Sequence, residues 1–128
     1  MEVITDDGLS GWGESFGSPE AIAALINEFK TLVIGHDSTA IEVIWELLYN
    51  RYRDRGIKGV VISAISALDI ALWDLLGKRY NVPIYQLLGG PFRTKVQAYA
   101  TGMYMQDFDH AAIDLEHALA LIFRQFER

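Results

Sequence analysis

The sequence has no cysteine among its 128 residues. This absence excludes a disulfide framework, a thiolate nucleophile and a cysteine-ligated zinc site, and it leaves the redox compartment undetermined. Basic residues are also few, since 11 Lys and Arg stand against 17 Asp and Glu and the formal net charge is −6. A protein that neutralises phosphates needs a basic stripe, so the composition argues against a nucleic-acid partner.

Long uncharged apolar segments and a basic leader are missing as well. Asp69 and Asp74 interrupt the longest apolar stretch, so we expect no membrane span, which requires about 18 apolar residues. Met1 is followed by Glu2 and by the acids at 6–7, so no secretory signal is predicted. The expected location is the cytoplasm.

The dominant pattern is the stretch 60–80, VVISAISALDIALWDLLGKRY. Apolar side chains recur there at Ile65, Leu68 and Leu72, and alanines fill much of the remaining circumference. This spacing predicts a helix that neighbouring elements cover on most sides. Asn81, which tolerates the left-handed conformation, is expected to end it.

Two acids lie within this predicted helix. Asp74 has Lys78 four residues on, which predicts an ordinary surface ion pair. Asp69 lies between Leu68 and Ile70, so we expect it to need a buried partner.

Turn and capping signals define the elements before it. The Asp-Gly pair at 7–8, between the short runs 2–5 and 9–14, predicts a β-hairpin. Ser18, followed by a proline and an acid, predicts a helix with a capping hydroxyl. Its apolar face contains Ile22, Leu25, Ile26, Phe29, Leu32 and Val33, and Gly35 ends it.

A second helix is predicted over 39–53. Two caps are possible for it: Asp37, or a capping box formed by Thr39 with Glu42. Its predicted buried stripe is Ile41, Trp45, Leu48 and Tyr52. Further along, 83–88 reads as a short helical turn, 95–101 alternates like a strand, and 109–128 has helical periodicity.

Three motifs occur in order: GWGE at 11–14, AxSAxDxALWDxxGK at 64–78 and VPIYQLLGG at 82–90. With them the chain resembles the mandelate racemase and muconate lactonizing enzyme group of the enolase superfamily. Segments within 34–50, 53–56 and 96–102 are most similar to its acid-sugar enzymes, particularly galactarolactone cycloisomerases and sugar-acid dehydratases.

The resemblance implies an α+β fold in which an antiparallel hairpin is followed by a helical bundle. Residues 1–93 correspond to an enolase-like capping domain that is incomplete at its start. Residues 94–128 correspond to the first strand and helix of a truncated (β/α) barrel.

The resemblance also implies a chemistry, that of isomerases and lyases that abstract the proton next to a carboxylate through an enediolate. In such enzymes three carboxylates on successive barrel strands hold Mg²⁺, and a lysine in a KxK motif follows a GFRAIK-like stretch. This chain reads FRQFER at 123–128. We therefore expect it to contain no catalytic residue, to bind no metal and to be inactive alone, with an acid-sugar substrate only in a complete enzyme.

Two places correspond to substrate-lining positions in complete relatives. One is the loop of Ser15, Phe16 and Gly17, and the other is Met103 with Tyr104, after the first barrel strand. All five are equally well explained as turn residues. Asp107, Asp109 and His110 form a metal-like cluster, which capping at a helix start explains better.

A second functional class stays open. With 51% hydrophobic residues, a capping domain without its usual neighbours would expose apolar surface. The alternative is therefore a non-catalytic interaction module that docks on a homologous barrel or associates with itself as a homo-oligomer.

Overall fold

The structure, a computed structural model, describes residues 1–56 and 58–98. Its elements are β1 (Glu2–Ile4), β2 (Ser10–Trp12), α1 (Pro19–Val33), α2 (Ile41–Tyr52), a single 3₁₀ turn (Arg53–Arg55), α3 (Val60–Tyr80) and α4 (Ile84–Leu87). The architecture is α+β, as predicted. Contacts group the chain into one unit of Met1–Pro91 and a second unit that begins at Phe92.

The predicted hairpin is confirmed. β1 and β2 pair antiparallel, with Val3 opposite Gly11. The turn is closed by two backbone hydrogen bonds, from Gly8 N–H to the Thr5 carbonyl and from Thr5 N–H to the Leu9 carbonyl, both 2.9 Å. Gly8 has φ +83°, a left-handed conformation that favours glycine.

The first helix, α1, begins and ends where its signals placed it, with proline in its first turn and Gly35 shortly after its end. The capping prediction for Ser18 was wrong. Ser18 occupies the N-cap position, but its hydroxyl donates to the Glu20 carboxylate at 2.9 Å instead of accepting a helix N–H. The hydroxyl is turned towards this charged acceptor, and in that orientation its oxygen accepts no N–H of the first helical turn.

The second helix, α2, begins at Ile41, two residues later than predicted, and neither expected cap forms. Asp37 Oδ1 accepts from both the backbone N–H and the hydroxyl of Thr39, each at 2.8 Å. The two residues that were expected to cap α2 are thus bonded to each other in a local turn before the helix. Ile44 is fully buried although the predicted stripe omitted it, and Trp45 is only partly buried.

The third helix, α3, has the predicted bounds, and Asn81 follows it with φ +54°. It contacts both strands and both preceding helices, and its buried residues are Ala64, Ile65, Ala67, Leu68, Ala71, Leu72, Leu75 and Gly77. The helix is therefore covered on most sides, as predicted, and it remains partly exposed at Val60 and Ile70, which are 40% and 42% exposed.

By length and composition alone, α3 is long and apolar enough to cross a membrane. The expectation that Asp69 and Asp74 exclude a membrane span was therefore wrong. Length and composition are weak evidence of a span, because the core helix of a globular domain passes the same test. Here α3 carries eight of the buried residues and is that core helix.

The short helix α4 lies within the predicted turn 83–88. Residues 95–98 form no strand, and the rest of the predicted strand and helix at 95–101 and 109–128 lies outside the described residues. The barrel unit is therefore not confirmed, and the domain assignment of 1–93 and 94–128 stays a prediction.

Candidate functional site

The backbone of β2 lies directly against α3. A Cβ atom on Gly13 would be 1.9 Å from the Ala67 carbonyl oxygen, and one on Gly11 would be 2.2 Å from that of Ala71. Neither distance leaves room for a methyl group, so both positions require glycine. The GWG motif and the alanines of α3 are thus the two sides of one contact.

A polar clamp holds β2 on the helix. The backbone N–H of Trp12 donates to Asp74 Oδ2 at 2.8 Å, and Lys78 Nζ donates to the same oxygen at 2.6 Å and to the Ser10 carbonyl at 2.9 Å. The predicted ion pair is confirmed, and it also binds both ends of β2. The Lys78 ammonium, followed by the Trp12 N–H, lowers the pKa of Asp74.

The hairpin turn is anchored at the C-terminal end of α3. Arg79 donates to Asp7 Oδ2 at 3.0 Å, and Asp7 also accepts from the Thr5 hydroxyl. The hydrogen bond from Thr5, and then the charge of Arg79, hold the pKa of Asp7 below its ordinary value although burial acts in the opposite direction. Both ends of the hairpin are therefore fixed to one helix.

The loop that follows β2 extends from the hairpin that is fixed to α3 in this way. The Ser15 hydroxyl donates to the Ser63 carbonyl of α3 at 2.6 Å, while Phe16 is 94% exposed and Gly17 has φ +136°. Beside the loop is an open groove of about 500 Å³, lined by Glu14, Ser15, Phe16, Ile62, Ser63, Ser66 and Ile70. Three of the five predicted lining residues thus lie together at one surface.

The other two predicted lining residues, Met103 and Tyr104, lie outside the described residues, as do Asp107, Asp109 and His110. A role of any of the five candidates in lining a substrate stays a prediction. The side of the groove formed by α3 could not be predicted from the sequence, because Ser63 is 48 residues from Ser15 along the chain.

Asp69 differs from the expectation. It is half-buried beside Trp45 and Leu68, yet within residues 1–56 and 58–98 no hydrogen bond or ion pair reaches its carboxylate. Burial, and then the negative charge of Glu42, raises its pKa. The expected buried partner is therefore missing from this part of the chain.

The described residues do not fit a magnesium site. Hard cations such as Mg²⁺ bind oxygen ligands, but in the part of the chain that the structure describes no three His, Asp or Glu side chains come together.

The fold and the surface together define an α+β domain whose core helix carries a hairpin and presents one exposed loop beside a groove. Residues 1–89 match the family model described as "Mandelate racemase / muconate lactonizing enzyme, N-terminal domain". The chain belongs to this family.

Curated relatives are similar in sequence to most of this chain. It is 45% identical over 107 residues to a D-galactarolactone cycloisomerase of Agrobacterium fabrum, covering 84% of this chain and 28% of the relative. It is 41% identical over 102 residues to a D-galactonate dehydratase of Pectobacterium atrosepticum, covering 78% and 26%. The chain thus spans little more than a quarter of the length of these relatives.

The fold is also similar to that of a solved structure. The 3,6-anhydro-D-galactonate cycloisomerase of Zobellia galactanivorans superposes with a TM-score of 0.80 at 36% identity, covering 97% of this chain and 33% of the other. At this identity the similarity supports both the fold and the family.

Proposed function

We propose that this chain supplies the substrate-capping part of a sugar-acid cycloisomerase or dehydratase of the enolase superfamily. The observation that carries the proposal is the loop Ser15 to Gly17, which is held exposed at the end of a strand clamped to the core helix. Relatives that share the sequence are named for galactarolactone and galactonate. The reaction class is abstraction of the proton next to a carboxylate, through an enediolate that needs electrostatic stabilisation.

In this proposal the catalytic groups belong to a barrel. The family resemblance assigns the metal carboxylates and the bases to barrel strands, and residues 1–56 and 58–98 contain no group of three His, Asp or Glu side chains that could hold a metal ion. We extend the proposal to magnesium as the metal of such a barrel, to an acid-sugar substrate and to a cytoplasmic location.

The loop is suited to cover a bound substrate. Ser15 is fixed to α3 by its 2.6 Å hydrogen bond, so the loop has a firm base. Phe16 presents an apolar ring to whatever closes over it. Covering the substrate excludes water, which strengthens the electrostatic interactions that stabilise an enediolate.

A chimera tests this role. Residues 1–89 replace the matching part of the A. fabrum cycloisomerase, whose own preceding segment and barrel are kept. We expect the chimera to turn over galactarolactone. Phe16→Ala should raise KM about threefold to tenfold, because one apolar contact of this size contributes about 1 kcal/mol.

Val43→Ala is the matched control. Val43 is also an exposed apolar residue, at 58%, but it lies on α2 and does not line the groove. Its replacement should leave KM unchanged. A folded chimera without turnover, or equal effects of the two substitutions, would contradict the capping role.

The interaction module is the second candidate. Exposed large apolar side chains favour it, with Ile4 65%, Trp12 58%, Phe16 94% and Ile34 78% exposed. Size-exclusion chromatography with light scattering discriminates, because an interaction module should form an oligomer of defined mass. A monomer over a wide concentration range would eliminate self-association.

A further inference from the structure

The contacts between β2 and α3 follow a regular spacing. A Cβ atom on Gly11 would lie against the Ala71 carbonyl oxygen, and one on Gly13 would lie against the Ala67 carbonyl oxygen, one helical turn earlier. A strand rises about 6.8 Å in two residues, and a helix rises about 6.0 Å in four. Because the two rises nearly match, alternate residues of the extended chain meet carbonyl groups of α3 that are four residues apart.

Ser15 occupies the next position in this series. It follows Gly13 by two residues, and its hydroxyl donates to the carbonyl of Ser63, four residues before Ala67, at 2.6 Å. A Cβ atom on Gly13 would be only 1.9 Å from its carbonyl oxygen, whereas at Ser15 a hydroxyl fits between the backbone and the helix. The chain therefore separates from α3 at Ser15, and a side-chain hydrogen bond replaces the direct backbone contact.

The loop Ser15 to Gly17 is fixed on its two sides. After it, the Ser18 carbonyl accepts the Ile22 N–H of α1 at 3.1 Å. Within the described ranges, no backbone hydrogen bond holds Phe16 or Gly17. The position of the exposed Phe16 ring therefore depends on α1 on one side and on the bond of Ser15 on the other.

This bond also joins the loop to the wall of the groove. Ser15, Phe16 and Ser63 all line the groove of about 500 Å³. Ser63 is itself held in α3, because its N–H donates to the Gly59 carbonyl at 3.1 Å. A loop anchored there keeps Phe16 at the groove, and a loop released there would let the ring move away.

We propose that Ser15 is a positioning residue for the capping function, whose hydroxyl holds the Phe16 ring at the groove through its hydrogen bond to the Ser63 carbonyl. This inference rests on the proposed function. Ser15 acts through Phe16 and not on the reacting atoms. A threonine can make the same bond, because residue 15 is exposed and an added methyl group meets solvent, whereas an alanine cannot.

Limited proteolysis of the 128-residue chain tests this role without any turnover. Chymotrypsin cleaves after aromatic residues when the chain around them opens, and cleavage after Phe92, which is also 94% exposed, provides the reference rate. Relative to this reference, Ser15→Ala should raise the rate of cleavage after Phe16 about threefold to tenfold, the range expected for the loss of one hydrogen bond. Ser15→Thr, which keeps the donor, should stay within about twofold of wild type.

Thr31→Val is the matched control. The Thr31 hydroxyl also donates to a backbone carbonyl, that of Glu28, at 2.9 Å, but it lies on α1 and does not line the groove. Its loss should leave cleavage after Phe16 unchanged. An unchanged rate in Ser15→Ala, or an equal rise in both variants, would overturn the positioning role.

A double-mutant cycle in the chimera tests whether Ser15 acts through Phe16. Ser15→Ala should raise KM for galactarolactone about threefold to tenfold, and it should raise KM little further once Phe16→Ala is present, because residues that act as a unit are not additive. Thr31→Val should leave KM unchanged. Fully additive effects would overturn the inference. A chimera without turnover would contradict the proposed function alone, and the proteolysis result would still decide the role of Ser15.

Discussion

At the residue scale, the two glycines of the GWG motif are explained by distance. Gly11 and Gly13 lie where a methyl group would overlap the α3 backbone. Gly8 is required for a different reason, since its φ is positive and the space around it is open. One residue type therefore serves two physical purposes within six positions.

Because the two kinds of glycine are required for different reasons, replacing them should lower the free energy of unfolding by different amounts. Gly13→Ala should lower the free energy of unfolding by about 2–3 kcal/mol, because α3 must move away from the new methyl group. Gly8→Ala, the matched control in the same hairpin, should cost about 1 kcal/mol of backbone strain. Urea denaturation followed by circular dichroism measures both, and equal losses would contradict the close contact between β2 and α3.

Asp69 predicts a pH dependence. Its folded pKa lies above the ordinary 3.8 because of burial and then Glu42. The folded state therefore binds more protons than the unfolded state, and stability falls as pH rises from 3.8 through the folded pKa. Asp69→Asn should raise stability at pH 7 by about 0.5 kcal/mol, a value that allows for solvent screening.

This gain should disappear as pH falls towards 3.8, where the wild-type carboxyl is also neutral. Denaturation of both proteins between pH 4 and pH 7 measures it. The control is Asp54→Asn, since the side chain of Asp54 is 92% exposed. A loss of stability in Asp69→Asn at neutral pH would mean that the carboxylate has a favourable partner.

At the element scale, the hairpin depends on α3 because a two-stranded sheet is marginal by itself. Asp74 is the centre of the clamp, with its bonds to Trp12 and Lys78. Asp74→Ala should lower the free energy of unfolding by about 1–2 kcal/mol. Asp54→Ala, which removes a 3.7 Å exposed pair with Arg53, should change it by less than about 0.5 kcal/mol.

The clamp also has a defined pH window. The pKa of Asp74 is lowered, so the folded state binds fewer protons, and the stabilisation is present above 3.8 and lost as pH falls through the folded pKa. The difference in the free energy of unfolding between wild type and Asp74→Ala should become smaller below about pH 3.8. A difference that stayed constant there would show that the effect is not electrostatic.

The elements could largely be predicted from sequence because their signals are local. The bounds of α3 follow from its apolar spacing and Asn81, and the hairpin follows from Asp7 and Gly8. The start of α2 could not be predicted, since Asp37 and Thr39 were rival caps and the structure bonds them to each other.

At the scale of the whole molecule, the family could be predicted because ordered motifs carry it, and the match over residues 1–89 confirms it. The surface could be predicted only in part. Ser15, Phe16 and Gly17 are adjacent in sequence, but the groove beside them needs Ser63 and Ile70 from α3. Such long-range pairing is set by the fold, and no local pattern encodes it.

We propose that the described fold caps a substrate and that a barrel supplies the catalytic groups. The most direct test of this proposal is an assay of the purified 128-residue chain with magnesium and a panel of aldarate lactones and aldonates. We expect no turnover above that of buffer with magnesium alone. Magnesium-dependent turnover that copurifies with the chain would contradict it.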